Sequence, residues 1–139
     1  MAYTSSTWAI TKEETNKLDA AHRKHLRTIL NIKWYDKITN EQLYTRANVE
    51  VFSKRMTRAR WRMLGRVLRL PENRPASLAL KFAMEKMKVL PPRRGRPITN
   101  LYELVVKDIK KIGQNLKTID DFYHLQSIAK NENEWNKLI

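Results

Sequence analysis

The stretch KRMTRARWRMLGRVLR, residues 54–69, carries seven basic residues and no acid, and the apolar residues threaded through it keep a helical rhythm. Phe52, Met56, Ala59, Met63, Val67 and Leu70 recur at steps of three and four, which at about 100° per residue puts them on one face of a helix. Arg55, Arg58, Arg62, Arg66 and Arg69 make a second row, roughly 90° from the first by the same arithmetic. Such a helix packs into a core while presenting guanidinium groups to a partner. Guanidinium is permanently charged, weakly hydrated and shaped for bidentate contact with phosphate oxygens, whereas a merely solubilising face would alternate Lys with Glu. The row, together with Lys54, is therefore read as a phosphate-binding face. Trp61, Leu64 and Leu68 form a second apolar stripe; Trp61 could stack on an unpaired base, but its ring size and its stripe favour the core. Arg60 falls between the stripes and is expected to pair with an acid such as Glu50 or Asp108.

Composition points the same way. The chain has 139 residues, the size of one domain, with a formal charge of +14 and a pI near 10.2. That charge favours an anionic polymer as partner through counterion release, and nucleic acid is the first candidate. A membrane surface is disfavoured, because the Arg-rich segments also carry core patterning and no apolar run approaches the ~18 residues of a span. Cysteine is absent, which removes disulfide scaffolds, thiol catalysis and Cys-based zinc modules. MAYTSSTWAI has neither the basic start nor the apolar run of a signal peptide, so an intracellular setting, nucleus or cytoplasm, is expected.

Along the chain the turn chemistry divides helices. Thr11 with Glu14 has the capping-box spacing, and a helix should run from there to about Asn31 with Leu18, Leu26 and Leu30 on one side. Thr39 with Gln42 repeats the box for a short helix from about Asn40 to Ala47, and the arginine helix follows from about Val49 until Pro71. Pro75 suits the first turn of another helix, with Leu78, Ala79, Phe82, Ala83 and Met87 facing inward. The segment LPPRRGRP, residues 90–97, combines prolines, glycine and arginines and reads as an exposed basic loop. Beyond it Thr99 is expected to cap a helix that ends near Gly113, and Thr118 with Asp121 opens a last helix running towards Ile139. The expectation is an all-α domain of five to six helices, with subregions 1–89 and 99–139 joined by the loop 90–98.

Sites that carry chemistry are few. Asp19, His22 and His25 stand at steps of three and could aim at a metal, but no second cluster supports them and a helix face with satisfied histidines is the expected reading. Asp120 and Asp121 follow Thr118 in a first helical turn, where carboxylates complete a cap. Glu72 with Glu85, Lys86 and Lys88 lacks the spacing of a metal-dependent nuclease core. No Gly-rich phosphate loop or catalytic triad is visible, so no catalysis, cofactor or metal is expected of this chain. Arg93, Arg94, Gly95, Arg96 and Pro97 resemble an AT-hook, which would follow a narrow minor groove; the other reading is a basic loop touching phosphates without base readout.

The order of these motifs resembles a known family. Tyr3 and Trp8, then Lys17-Leu18-Asp19, Leu26-Arg27, Ile29-Leu30, Ile32 and Trp34, then Ile38-Thr39-Asn40-Glu41, look like the segment that follows the polymerase core in non-LTR, LINE-like retrotransposon endonuclease–reverse transcriptases. The run Arg60 to Pro71 is similar to that family's Arg-rich helix, Arg94 to Pro97 to its Gly-Arg-Pro loop, and Ala129 with Trp135 to its closing helix. Where the family usually has His after the helix glycine, this chain has Arg66. The polymerase signature and the amino-terminal endonuclease are absent. The resemblance implies a C-terminal, non-catalytic part of a target-primed reverse transcription protein, an RNA-directed DNA polymerase. It would grip template RNA, target DNA or their hybrid through Lys54, Arg55, Arg58, Arg62, Arg66, Arg69, Arg93, Arg94 and Arg96. The alternative is an interaction module whose arginines dock on the polymerase body or another acidic protein. RNA versus DNA and the oligomeric state stay open.

Overall fold

Hydroxyl and amide side chains set the helix starts in the computed structural model, which describes residues 5–89, 100–116 and 118–138. Seven α-helices are found there: α1 (Lys12–Ile29), α2 (Asn40–Ala47), α3 (Phe52–Arg69), α4 (Pro75–Val89), α5 (Leu101–Lys111), α6 (Ile119–Lys130) and α7 (Glu132–Lys137). Short 3-10 turns cover Ser5–Thr7 and Trp34–Asp36, and there is no strand among the described residues. The protein is all-α. All three capping boxes form: Thr11 Oγ1 accepts from the Glu14 N–H and Glu14 Oε2 from the Thr11 N–H, at 3.3 and 2.7 Å, and Thr39/Gln42 and Thr118/Asp121 repeat the exchange. Pro75 is the first residue of α4 and Gly113 takes the left-handed φ of 76° beyond α5, both as expected. No described helix is long and apolar enough to cross a membrane.

Two compact units make up the chain, Ile10–Thr57 and Met1–Ala9 with Arg58–Ile139. α3 contributes its first turn and a half to the former and the rest to the latter. The loop expected at 90–98 lies outside the described residues. In the 10–57 unit, α1 packs on α2, with Leu26, Leu43 and Met56 buried. Asp19 of α1 is buried with them, and its Oδ1 accepts from the Ser53 N–H at 2.9 Å. Val51, just before α3, has no side-chain acceptor, so Asp19 supplies the cap from a neighbouring helix and satisfies one of the otherwise orphaned N–H groups. One oxygen of this carboxylate is thus committed to the start of α3.

In the unit that holds 58–139, the core is built on Trp61, Leu64 and Leu68 of α3, against Met84 of α4, Ile109 of α5, Phe122 and Leu125 of α6 and Trp135 of α7. Four expectations change here. The stripe of Met63 and Val67 is only half-buried, while Trp61, Leu64 and Leu68 are buried. An indole removes far more apolar surface from water than Ala59, so the arc that contains it sets the register. In α4, Ser77 and Met84 are buried and Leu80 packs on the core, whereas Leu78 and Phe82 are exposed by 52% and 60%; apolar residues surround that helix, and both stripes have helical spacing. The cap of α5 is Asn100, whose Oδ1 accepts from the Glu103 N–H at 2.8 Å, rather than Thr99. The last helix is two: Asn131 ends α6 in an extended conformation and its Oδ1 accepts from Asn133 and Glu134 N–H groups to start α7.

Candidate nucleic-acid interface

With Trp61, Leu64 and Leu68 inward, the residues Arg58, Arg62 and Arg66 fall about 120° away around α3 at 100° per residue. All three are exposed. At 1.5 Å of rise per residue their Cα atoms follow one another at about 6 Å along the axis. Arg62 and Arg66 enter no ion pair among the described residues. Their guanidinium groups line one side of an open groove of about 500 Å³ whose other lining residues are Arg69, Glu132, Trp135 and Asn136. The arrangement is a row of cations facing a short helix that brings an amide and a single carboxylate.

α7 is held against α3 by a close fit. The Trp135 indole Nε1–H donates to the Trp61 carbonyl oxygen at 3.1 Å, and the two indole rings lie 5.3 Å apart, tilted by 56°. This approach needs Gly65, because a Cβ there would meet the Trp135 ring at 2.8 Å from Cδ1 and 2.9 Å from Cε2, and would press into Nε1 closer still. Glycine in a helix interior costs about 1 kcal/mol relative to alanine, and the indole–carbonyl contact is what the missing side chain permits. Two further contacts tie α6 to the end of α3: Gln126 Nε2 donates to the Leu68 carbonyl at 3.1 Å, and Arg69 donates to the Ala129 carbonyl at 3.2 Å. Carbonyl groups that the helix ends leave unpaired are satisfied in this way.

The arginines are therefore unequal. Arg69, placed in the phosphate-binding row by its spacing, is half-buried, bonded to Ala129 and 3.8 Å from Glu132; its charge is in part committed to the C-terminal end of α6, where cations are favourable. Arg60 is buried and donates through Nε and Nη2 to Asp108 Oδ2 at 3.2 and 2.8 Å, while Lys111 reaches Asp108 Oδ1 at 2.9 Å. Asp108 is one of the two acids, with Glu50, expected to pair with an arginine lying between two apolar stripes. Lys54 and Arg55 are exposed in the 10–57 unit. Arg93, Arg94 and Arg96 lie outside the described residues. Glu132, Trp135 and Asn136 were not legible as groove residues, since their placement depends on the break at Asn131.

The other acidic clusters take part in caps and ion pairs. Asp121 caps α6 with its Oδ2 accepting from the Thr118 N–H at 2.9 Å, and Glu72 accepts from Lys81 at 2.8 Å. No group of three or more acidic or imidazole side chains suited to a metal occurs among the described residues. His22 departs from the expected satisfied histidine: its Nδ1 is buried without a hydrogen-bond partner, and the ring lies against Tyr44 and Phe52. Burial first, then the nearby Arg55 guanidinium, pushes its pKa below the usual 6.5. Comparison with protein-family models, curated proteins and solved structures finds no match for this chain.

Proposed function

We propose that this chain is a non-catalytic nucleic-acid-binding domain that holds a phosphodiester backbone along α3, with Arg58, Arg62 and Arg66 as the principal contacts. The observation that carries this reading is the exposed arginine row facing the α7 groove, with no alternating carboxylates on its own helix. A chain with net charge +14 gains affinity for any polyanion, and a groove lined by guanidinium groups fits phosphate oxygens in bidentate geometry. The resemblance to the post-polymerase segment of LINE-like reverse transcriptases supports the same reading and suggests the biological setting: a C-terminal grip on template RNA or target DNA, with polymerisation and strand cleavage supplied by other parts of the parent protein.

A salt titration tests it. Fluorescence anisotropy with a labelled duplex should give log K falling linearly with log salt, and Arg62→Ala with Arg66→Ala together should flatten the slope by about 1.8, at roughly 0.9 for each phosphate neutralised on duplex DNA. An unchanged slope in the double variant, with affinity intact, would remove α3 from the interface.

A further inference from the structure

Cations and aromatic rings also gather in the 10–57 unit. The C-terminal half of α1 and the connector after it enclose an open cleft of about 540 Å³, lined by Arg23, Lys24, Arg27, Thr28, Asn31 and Lys33 among others. Between Ala20 and Asn40 the Lys and Arg residues far outnumber the one acid, Asp36. Arg27 is fixed by its donation to Asn40 Oδ1 at 2.9 Å, whereas Arg23, Lys24 and Lys33 enter no ion pair among the described residues.

The 3-10 turn Trp34–Asp36 follows Lys33 directly. Its Trp34 is 90% exposed and Tyr35 62% exposed, the two rings meeting edge to face at 5.8 Å. The turn is tightly closed. Asp36 Oδ2 accepts from the Lys33 N–H at 2.7 Å, and the Asp36 N–H donates to the Lys33 carbonyl at 3.2 Å. Two large rings are thus presented to solvent on a hydrogen-bonded turn that directly follows Lys33 of the cation-lined cleft. Bases in a duplex are already stacked on one another, while an unpaired base offers a free π face, and aromatic platforms beside positive grooves bind single strands without sequence preference.

We propose that this cleft and the Trp34–Tyr35 pair form a second nucleic-acid site, which takes single-stranded segments. Backbone phosphates lie against Arg23, Lys24 and Lys33, and an unpaired base stacks on the Trp34 indole. The proposal rests on the broader reading that the chain binds nucleic acid, but it uses no residue of α3.

The full chain is titrated with a short labelled oligo(U), the matching oligo(dT) and a blunt duplex. Trp34→Ala should weaken single-strand binding about 5- to 140-fold, the range for removing one aromatic stacked on a base, and leave duplex binding unchanged. Wild-type tryptophan emission should be quenched by the single strand, and that quenching should disappear in Trp34→Ala. Arg23→Ala with Lys24→Ala should flatten the single-strand salt slope by about 0.7 for each phosphate no longer neutralised. Trp34 is nearly fully exposed, so its replacement leaves the fold intact, which circular dichroism checks. Single-strand affinity that is indifferent to Trp34, an equal weakening on duplex, or no single-strand binding by the wild type overturns the proposal. The Arg62→Ala, Arg66→Ala variant separates the two sites: a flattened duplex slope beside unaltered Trp34→Ala binding sinks this inference and keeps the α3 reading, and the reverse pattern does the opposite.

Discussion

Gly65→Ala decides, by the sign of one number, whether the Trp135 contact is as close as described. In an exposed helix interior this change stabilises by about 1 kcal/mol, because alanine restricts the unfolded backbone and favours the helix. At this position the new methyl would sit 2.8–2.9 Å from two indole carbons, and Trp135 is only 1% exposed, with the core behind it. Forcing a group into a packed interior costs about 1–3 kcal/mol. If the ring retreats, the buried Nε1–H is parted from the Trp61 carbonyl, which costs about 1–3 kcal/mol more. Offsetting the helical gain leaves a net loss of about 1–5 kcal/mol. Urea unfolding followed by circular dichroism measures it. Adding Trp135→Phe, a smaller ring without the N–H, should make the second-site cost of Gly65→Ala fall, so the double-mutant cycle should show coupling. A Gly65→Ala protein as stable as the parent, or more so, refutes the close-packed α3–α7 contact.

Two other perturbations test the charges that are buried for structure. Asp108→Ala should destabilise by about 3–5 kcal/mol in the same urea assay, since it strands the Arg60 guanidinium at 8% exposure; Arg60→Met combined with Asp108→Leu should recover most of the loss, and failure to do so would argue that the pair sets the local structure itself. His22 predicts a pH dependence. Its folded pKa is depressed below 6.5 by burial and then by Arg55, with His25 adding to the shift and Asp19 opposing it, so the unfolded chain binds more protons in the window just below 6.5. Stability is therefore complete above pH 6.5 and falls as the pH drops through that value towards the folded pKa. His22→Phe, which keeps a ring against Tyr44 and Phe52 and removes the unpartnered nitrogen, should shrink the fall in urea midpoint between pH 7 and pH 6. An identical fall in the variant would assign the effect to another group.

How much of this was legible in the sequence depends on the range of each interaction. The capping boxes were, because Thr11 with Glu14, Thr39 with Gln42 and Thr118 with Asp121 complete their hydrogen bonds within one turn; α2 matches its expected bounds, Asn40 to Ala47. That Arg60 needs a buried acid was legible, because a cation between apolar stripes requires a carboxylate from elsewhere, but the choice of Asp108 over Glu50 was not. The burial of Trp61 was legible from the size of its ring, but the precedence of its stripe over the first one was not, since Met63 with Val67 and Leu64 with Leu68 have the same spacing and only the packing of Trp61 against Trp135 separates them. The Asn131 break was missed for a related reason: Trp135 continues the stripe of α6 in helical spacing, although the chain stops and restarts before reaching it.

Moving the inward face from the Met63–Val67 arc to the Trp61–Leu68 arc also changes what the arginine row can do. On the first register Arg58, Arg62 and Arg66 would stand about 90° from the core, and on the observed one they stand about 120° away, further out towards solvent. The one arginine inside the buried arc, Arg60, is matched by Asp108, whereas Arg62 and Arg66 on the exposed row enter no ion pair among the described residues. Trp135 belongs both to the core and to the groove wall, which couples affinity to packing at that point. The two kinds of weakening remain separable by salt. Gly65→Ala displaces the wall and should lower affinity with the slope unchanged, because every guanidinium is still present. Arg62→Ala removes a counterion-releasing group and should lower affinity and slope together.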